Sequence, residues 1–531
     1  MCKRTASLFF VFCLLIGIIY ARLIIIEEGG YNTASVKGHT ISSTVSKSRG
    51  MIYDCKLRPL VNCENESFIA VKPSLRSFEN VKQNIPEQLR SNVLNEISGG
   101  RIAVFKSDMP ISNSDAISFS AVKRYSDNGL CVHTVGYIDT DKKGVSGVEK
   151  YYDNLLNSAS GSLKVICEVD ARSNALEGEK LVTQSDNYNS LAGVALTVDR
   201  DIQQICEDAL EKYGIGKGAA VVLDVKTSEI RAIASVPEFS QNEPAKSLND
   251  ENAPFINRAI TPYSVGSIFK VVVSAAAIES GISTDTQFEC KGNIEIGTQV
   301  FNCHKKAGHG VLNMYSATAN SCNPYFINLA LKTGKEKIVE TAGNLGLGKQ
   351  IELCDGWYAS GGILPDSADL VSQQDLANLA FGQGKLLASP LQMAAVYAAI
   401  ANSGVYRAPS LMQSITNKNR IEIMRAELPA NRRVMSESTA NIIKQMLLET
   451  VENGSGIAAK PDGVRVAGKT ATAQSGEFDS ENNEMVRTWF CGFFPYENPE
   501  YSVAIIKEDG TGGAADCAPV FKYIAEKISE K

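Results

Sequence analysis

Apolar and polar positions follow three different patterns along this chain. Residues 6–20 carry no charge, Arg22 interrupts, and Leu23 to Ile26 resume the apolar run. Counted to Ile26, the stretch is 21 residues long, close to the roughly 20 that cross a bilayer. Lys3 and Arg4 precede it and Glu27 and Glu28 follow, so the expected orientation keeps the N-terminus cytoplasmic. Arg22 lies near the far end, where a long side chain reaches the headgroups. Tyr20-Ala21-Arg22 is a poor small-x-small cleavage site, which favours an uncleaved anchor over a signal peptide.

Residues 29–48 are rich in Gly, Ser and Thr and read as a stalk entering a first strand. From about 50 to 195, short strands and helices mix without a long buried run, the pattern of an irregular extended module. Residues 197–212 place Ile202, Ile205, Cys206 and Leu210 on one helical face, with Asp199 as N-cap. Two short apolar runs, 218–225 and 229–236, flank a Lys-Thr-Ser turn and predict a hairpin. Helical patterns follow at 267–281, 313–332, 373–403 and 437–453, and strands return at 464–474, 486–494 and 500–508. Strands at both ends with helices between predict an α+β fold, an antiparallel sheet packed by helices.

Composition narrows the function classes. Over 531 residues, 44% apolar and 21% charged side chains exclude a mainly disordered chain and a multi-span membrane protein. The net charge is −6 and no Lys/Arg run occurs, so no nucleic-acid partner is expected. Only four histidines are present, which argues against catalysis built on several of them. Of 13 cysteines, Cys2 and Cys13 belong to the anchor region, leaving an odd number beyond it. Their irregular spacing predicts buried free thiols rather than a disulfide framework. Cys290, Cys303, His304 and His309 have the residue types of metal ligands, yet their spacing matches no standard zinc pattern. Neither a metal nor a cofactor is expected.

Ser267 and Lys270 lie three apart at the start of a predicted helix, hence on one face and one turn apart. The first backbone N–H groups of a helix are free to stabilise an oxyanion. A nearby lysine becomes a base when burial or another cation lowers its pKa. Together these make an activated serine without histidine, although an N-cap serine followed by a solvated lysine reads the same way. Two further elements settle the choice. Ser321-Cys322-Asn323 follows 54 residues on and Lys469-Thr470-Ala471 a further 148. The order Ser-x-x-Lys, Ser-x-Asn, Lys-Thr-small resembles the active-site set of penicillin-binding proteins and serine β-lactamases.

The flanks resemble the class B penicillin-binding proteins, of the penicillin-binding protein 2 and FtsI kind. Arg49-Gly-Met-Ile-Tyr-Asp54 resembles their first strand after the anchor, and His133 to Tyr137, Gly147-Val-Glu149 and Tyr151-Tyr-Asp153 their N-terminal pedestal. Asn257-Arg258, His309-Gly310, Phe381-Gly-Gln-Gly384 and Trp489-Phe-Cys-Gly-Phe493 also have counterparts. The resemblance implies a cytoplasmic tail and transmembrane anchor over 1–28, a pedestal of the dimerisation type over 29–196, and a β-lactamase-like transpeptidase domain over 197–531. It implies a cell-membrane protein with its catalytic domain outside the cytoplasm.

The implied reaction is D,D-transpeptidation of peptidoglycan. Ser267 attacks the penultimate D-alanine carbonyl of a stem peptide, and Lys270 takes the serine proton. Ser321 relays a proton to the leaving amine, and Asn323 holds Lys270 and the substrate amide. Lys469 lends positive potential, while Thr470 and Thr472 bind the terminal carboxylate. The oxyanion sits between the backbone N–H groups of Ser267 and Thr472. Stem peptides on a lipid-linked precursor, β-lactams and a glycan polymerase of the SEDS type are the implied partners. Three positions depart from the family: Ala471 replaces a glycine, Val265 a proline and Cys55 an arginine. The Ala471 methyl is expected to crowd the ligand side of its strand or to turn to the other face. These departures keep two other readings open: a non-catalytic scaffold for wall synthesis, and a D,D-carboxypeptidase that uses water as acceptor.

Overall fold

A computed structural model describes residues 9, 11–22, 40–170, 175–176, 179–478 and 482–531. Residues 11–22 are helical, and among the described residues no helix is long and apolar enough to cross a membrane. Residues 1–8, 10 and 23–39 of the expected anchor and stalk lie outside the described residues.

Two compact units are present. The first takes the described residues of Met1–Arg49, Asn62–Arg124 and Ala159–Ser190; the second takes Gly50–Val61, Tyr125–Ser158 and Leu191–Lys531. A single cut near residue 196 therefore does not separate them. The reason is strand pairing: Met51–Tyr53 lies parallel to Gly193–Leu196, with Ile52 opposite Val194, so an early segment is built into the second unit.

In the first unit, Glu64–Val71 is the centre of a three-stranded antiparallel sheet, between Ala103–Lys106 and Ala116–Lys123. Ile69 and Val71 pack with Phe78, Val93 and Ile97 from two short helices. A second antiparallel sheet orders Thr40–Ser48, Gly161–Glu168 and Val182–Asp186.

The second unit opens with α1 (Arg200–Lys212), whose cap Asp199 accepts from the Asp201 N–H as the pattern predicts. Its central sheet contains β1 (Gly218–Asp224), β2 (Ile230–Val236), β3 (Ala467–Phe478), β4 (Glu484–Phe494) and β5 (Tyr501–Lys507). The order is β2-β1-β5-β4-β3 with every pair antiparallel, so β3 forms one edge. β1, β2 and β5 are buried on both faces because both are covered. Ala220, Val222 and Ile505 pack with Ile202 and Leu210 of α1, whereas Val221, Leu223 and Ile506 join the larger core with α2 (Lys270–Glu279).

Two long helical patterns are interrupted. Residues 313–332 form Met314–Ala319 and then α3 (Asn323–Thr333). Ser321 between them has φ 52°, a left-handed conformation that a helix does not propagate. Pro324 in the first turn of α3 lacks the N–H that a continuous helix needs. Residues 373–403 likewise divide into Gln373–Ala380 and α4 (Pro390–Ala401), parted by Gly382 and Gly384 at φ 75° and 79°. The pattern over 437–453 holds unbroken as α5 (Glu437–Asn453).

Candidate active site

Ser267 lies in a 3-10 turn, Gly266–Phe269, that runs directly into α2 at Lys270. Side chains three apart eclipse in a 3-10 helix, so Ser267 and Lys270 share one side of the turn. Three tethers hold this turn. The Trp489 Nε1–H donates to the Ser264 carbonyl at 3.0 Å, and the Tyr397 hydroxyl donates to the Ile268 carbonyl at 3.2 Å. The Gly266 N–H donates to the Gly382 carbonyl at 2.9 Å. A Cβ on Gly382 would lie 2.1 Å from the Gly266 carbonyl oxygen, so only glycine allows this approach. Val265, in place of a proline, is fully buried beside the turn.

Lys270 is fully buried, and its Nζ donates to the Ser321 carbonyl at 2.8 Å, the Ser321 hydroxyl at 3.2 Å and Asn323 Oδ1 at 2.7 Å. The left-handed Ser321 backbone turns its carbonyl and hydroxyl toward one point, which the continuous helix over 313–332 could not do. Burial lowers the Lys270 pKa to about 7. The Phe326 ring, 5.4 Å from Nζ, closes the site on that side. Lys270 of Ser-x-x-Lys and both Ser321 and Asn323 of Ser-x-Asn therefore meet at a single nitrogen.

Lys469, Thr470, Ala471 and Thr472 lie on edge strand β3, pairing with Cys491, Phe490, Trp489 and Thr488 of β4. Lys469 is fully buried, and burial first, then the Lys270 charge, pull its pKa well below the ordinary lysine value. Its Nζ donates to the Thr470 carbonyl at 3.1 Å and to the Ser455 hydroxyl at 3.3 Å, and the Thr470 hydroxyl also donates to Ser455 at 3.3 Å. Ser455 was not among the sequence candidates: it sits in the turn after α5, and only folding brings Asn453-Gly-Ser-Gly456 to this strand. Thr472 is exposed, and its hydroxyl accepts from the Gly513 N–H at 3.3 Å. Ala471 is buried. A Cβ on Gly266 would lie 3.4 Å from the Ala471 methyl and 3.1 Å from that of Ala473. The extra methyl thus fills the face behind the serine turn, opposite the exposed Thr472.

The same region gathers residues that linear spacing kept apart. One ligand atom each from Cys290, Cys303, His309 and Cys322 lies within 4.8 Å of all the others. The expectation of no metal rested on spacing in sequence, and a strand end, a loop and a helix start remove that objection in space. His304 is exposed and does not belong to the group.

The family described as "Penicillin binding protein transpeptidase domain" matches residues 218–526. Stage V sporulation protein D of Bacillus subtilis is 29% identical over 425 residues, which cover 76% of this chain and 63% of that protein. The chain thus spans less than two thirds of that relative. Peptidoglycan D,D-transpeptidase MrdA of Acinetobacter baumannii is 26% identical, covering 95% of this chain and 84% of that one. The crystal structure of penicillin binding protein 3 from Mycobacterium tuberculosis with aztreonam superposes with a TM-score of 0.66 at 25% identity, covering 92% and 97% of the two chains. With residues 218–526, more than half its length, matched, the chain belongs to the penicillin-binding protein transpeptidase family.

Proposed function

We propose that this protein is a peptidoglycan D,D-transpeptidase that cross-links stem peptides through an acyl-enzyme on Ser267. The observation that carries the reading is Lys270: buried, with a pKa near 7, and bonded to both Ser321 and Asn323. An amine near neutrality accepts the Ser267 proton as the hydroxyl attacks the carbonyl of the penultimate D-alanine. The C–N bond to the terminal D-alanine breaks, and Ser321, bonded to Lys270, passes a proton to the leaving amine. Asn323 holds Lys270 and the substrate amide. The N–H groups of Ser267 and Thr472 are the donors assigned to the oxyanion.

Lys469 and the hydroxyls of Thr470 and Thr472 bind the terminal carboxylate. A buried lysine of depressed pKa regains its charge when an anion arrives, so carboxylate binding and proton uptake at Lys469 are coupled. The amine of a second stem peptide then attacks the ester, forms the cross-link and frees Ser267. β-Lactams acylate the same serine.

The first 28 residues act as a membrane anchor with a cytoplasmic N-terminus, the unit of Asn62–Arg124 and Ala159–Ser190 as the pedestal, and the unit that joins Gly50–Val61 and Tyr125–Ser158 to Leu191–Lys531 as the transpeptidase domain. A SEDS-type glycan polymerase is the partner proposed for the anchor and pedestal. The test is acylation. Fluorescent penicillin labels the wild type, and Ser267→Ala abolishes both labelling and cross-linking of a D-Ala-D-Ala stem peptide. Labelling that survives Ser267→Ala overturns the assignment, and a wild type that releases D-alanine only to water favours the carboxypeptidase reading.

A further inference from the structure

The chain beyond β5 comes back over β3 and touches one residue of the proposed site. Residues 509–513, Asp-Gly-Thr-Gly-Gly, lead into the short helix Gly513–Asp516. The Gly513 N–H donates to the Thr472 hydroxyl at 3.3 Å. A Cβ on Gly513 would lie 2.5 Å from both the Ala471 and the Trp489 carbonyl oxygens, so only glycine comes this close to β3 and β4.

One carboxylate holds this loop in place. Asp516 Oδ2 accepts from the Thr511 N–H at 2.6 Å and the Gly512 N–H at 2.9 Å, and Oδ1 accepts from the Thr511 hydroxyl at 3.3 Å. Lys507, the last residue of β5, donates from Nζ to Oδ1 at 3.2 Å. At the other end of the loop, the Gly510 N–H donates to the Val486 carbonyl of β4 at 3.1 Å. The Asp516 side chain is only 9% exposed. Burial pushes its pKa up, but the Gly512 and Thr511 N–H groups and Lys507 outweigh burial and hold it below the ordinary carboxylate value. The acceptor therefore stays charged.

The consequence lies in the Thr472 hydroxyl. Such a group has one proton to donate and lone pairs that accept. Thr472 is exposed on the edge strand, its oxygen accepts from Gly513, and no acceptor among the described residues takes its proton. An N–H fixed on one side of the oxygen sends that proton to the other side. Without the N–H the hydroxyl turns freely and can present a lone pair, which repels an anion.

We propose that Asp516 is a positioning residue for recognition of the terminal carboxylate: through the Thr511–Gly513 loop it sets the Thr472 hydroxyl as a donor to that anion. Asp516 acts through Thr472 and touches no substrate. The inference rests on the reading above in which Thr472 binds the carboxylate of a stem peptide or β-lactam.

The test compares acylating ligands with and without that carboxylate. The full chain in detergent is treated with benzylpenicillin and with its methyl ester, and second-order acylation rates are read by mass spectrometry. Asp516→Ala is expected to slow benzylpenicillin about tenfold, the low end for a hydrogen bond to a charged group, and to leave the ester within about twofold. The preserved ester rate also shows that the variant is folded. Asp516→Asn, whose amide oxygen still accepts the two N–H groups, should keep at least about a third of the wild-type rate with benzylpenicillin. In a Thr472→Val background, Asp516→Ala should add less than about a twofold loss, because the two residues act as one unit. Equal slowing of both ligands, or the same loss in the Thr472→Val background as in the wild type, overturns the inference and leaves the transpeptidase reading standing. A wild type acylated by neither ligand overturns both.

Discussion

The Nζ of Lys270 lies 2.7 Å from Asn323 Oδ1, joining residues 53 apart in the chain at a buried amine that also bonds Ser321. Asn323 thereby orients the group that must receive a proton from Ser267, and its loss leaves a buried amine with one acceptor fewer. Lys270→Ala is expected to slow acylation by fluorescent penicillin about 10²–10⁴-fold, the range for loss of a general base. Asn323→Ala should cost less, about tenfold to hundredfold, because Ser321 still holds the amine. Stopped-flow acylation rates check both, and equal losses in the two variants would deny the separation of roles.

The Lys270 pKa of about 7 predicts the pH profile. The neutral amine is the base, so the acylation rate should rise with pH through about 7 and level off above it. Asn323→Asp places a carboxylate where Oδ1 now stands, which favours the ammonium and moves the rising limb to higher pH. A profile flat between pH 5 and 9 would remove Lys270 as the base.

Ala471 packs behind the serine turn, so Ala471→Gly should leave acylation within about twofold and cost about 1 kcal/mol of stability through lost burial and added chain freedom. Gly382→Ala should behave oppositely, because its methyl meets the Gly266 carbonyl at 2.1 Å and must displace the nucleophile turn. Labelling and thermal melts of the two variants distinguish a methyl that packs behind the turn from one that displaces it.

Glu207 and Glu238 share one wall of a cavity in the second unit, and burial pushes their pKa values up to about 7 and about 8. Glu207 accepts from the Gln203 amide at 2.7 Å and the Cys131 N–H at 2.9 Å, and its charge adds to the shift at Glu238. Unfolding returns both to about 4.5. Between about pH 4.5 and 8 the folded state therefore holds more protons than the unfolded one, and their contribution to stability falls as pH rises across that window. Glu238→Gln should raise the melting temperature by a few degrees at pH 8 and leave it unchanged near pH 4. A Tm gain that is the same at both values would contradict the cause.

The interruption of the 313–332 pattern shows where sequence reading stops. The cap at Asp199, the apolar runs of β1 and β2 and the face of α1 are local properties, because backbone hydrogen bonding and side-chain periodicity act over one or two turns. The order of Ser267, Lys270, Ser321, Asn323 and Lys469 along the chain is likewise legible without a fold. The break at Ser321 is not, since its left-handed backbone is paid for by contacts made elsewhere.

Ser455 joined Lys469 and Thr470, and Cys290, Cys303, His309 and Cys322 joined one another, through approaches between segments distant in sequence. The early segments Gly50–Val61 and Tyr125–Ser158 entered the second unit the same way. The chain by itself determined which side chains could do chemistry and in what order they come. Tertiary structure decided which of them meet and what protonation they hold, because distance and desolvation depend on everything packed around a group, and no local pattern encodes that.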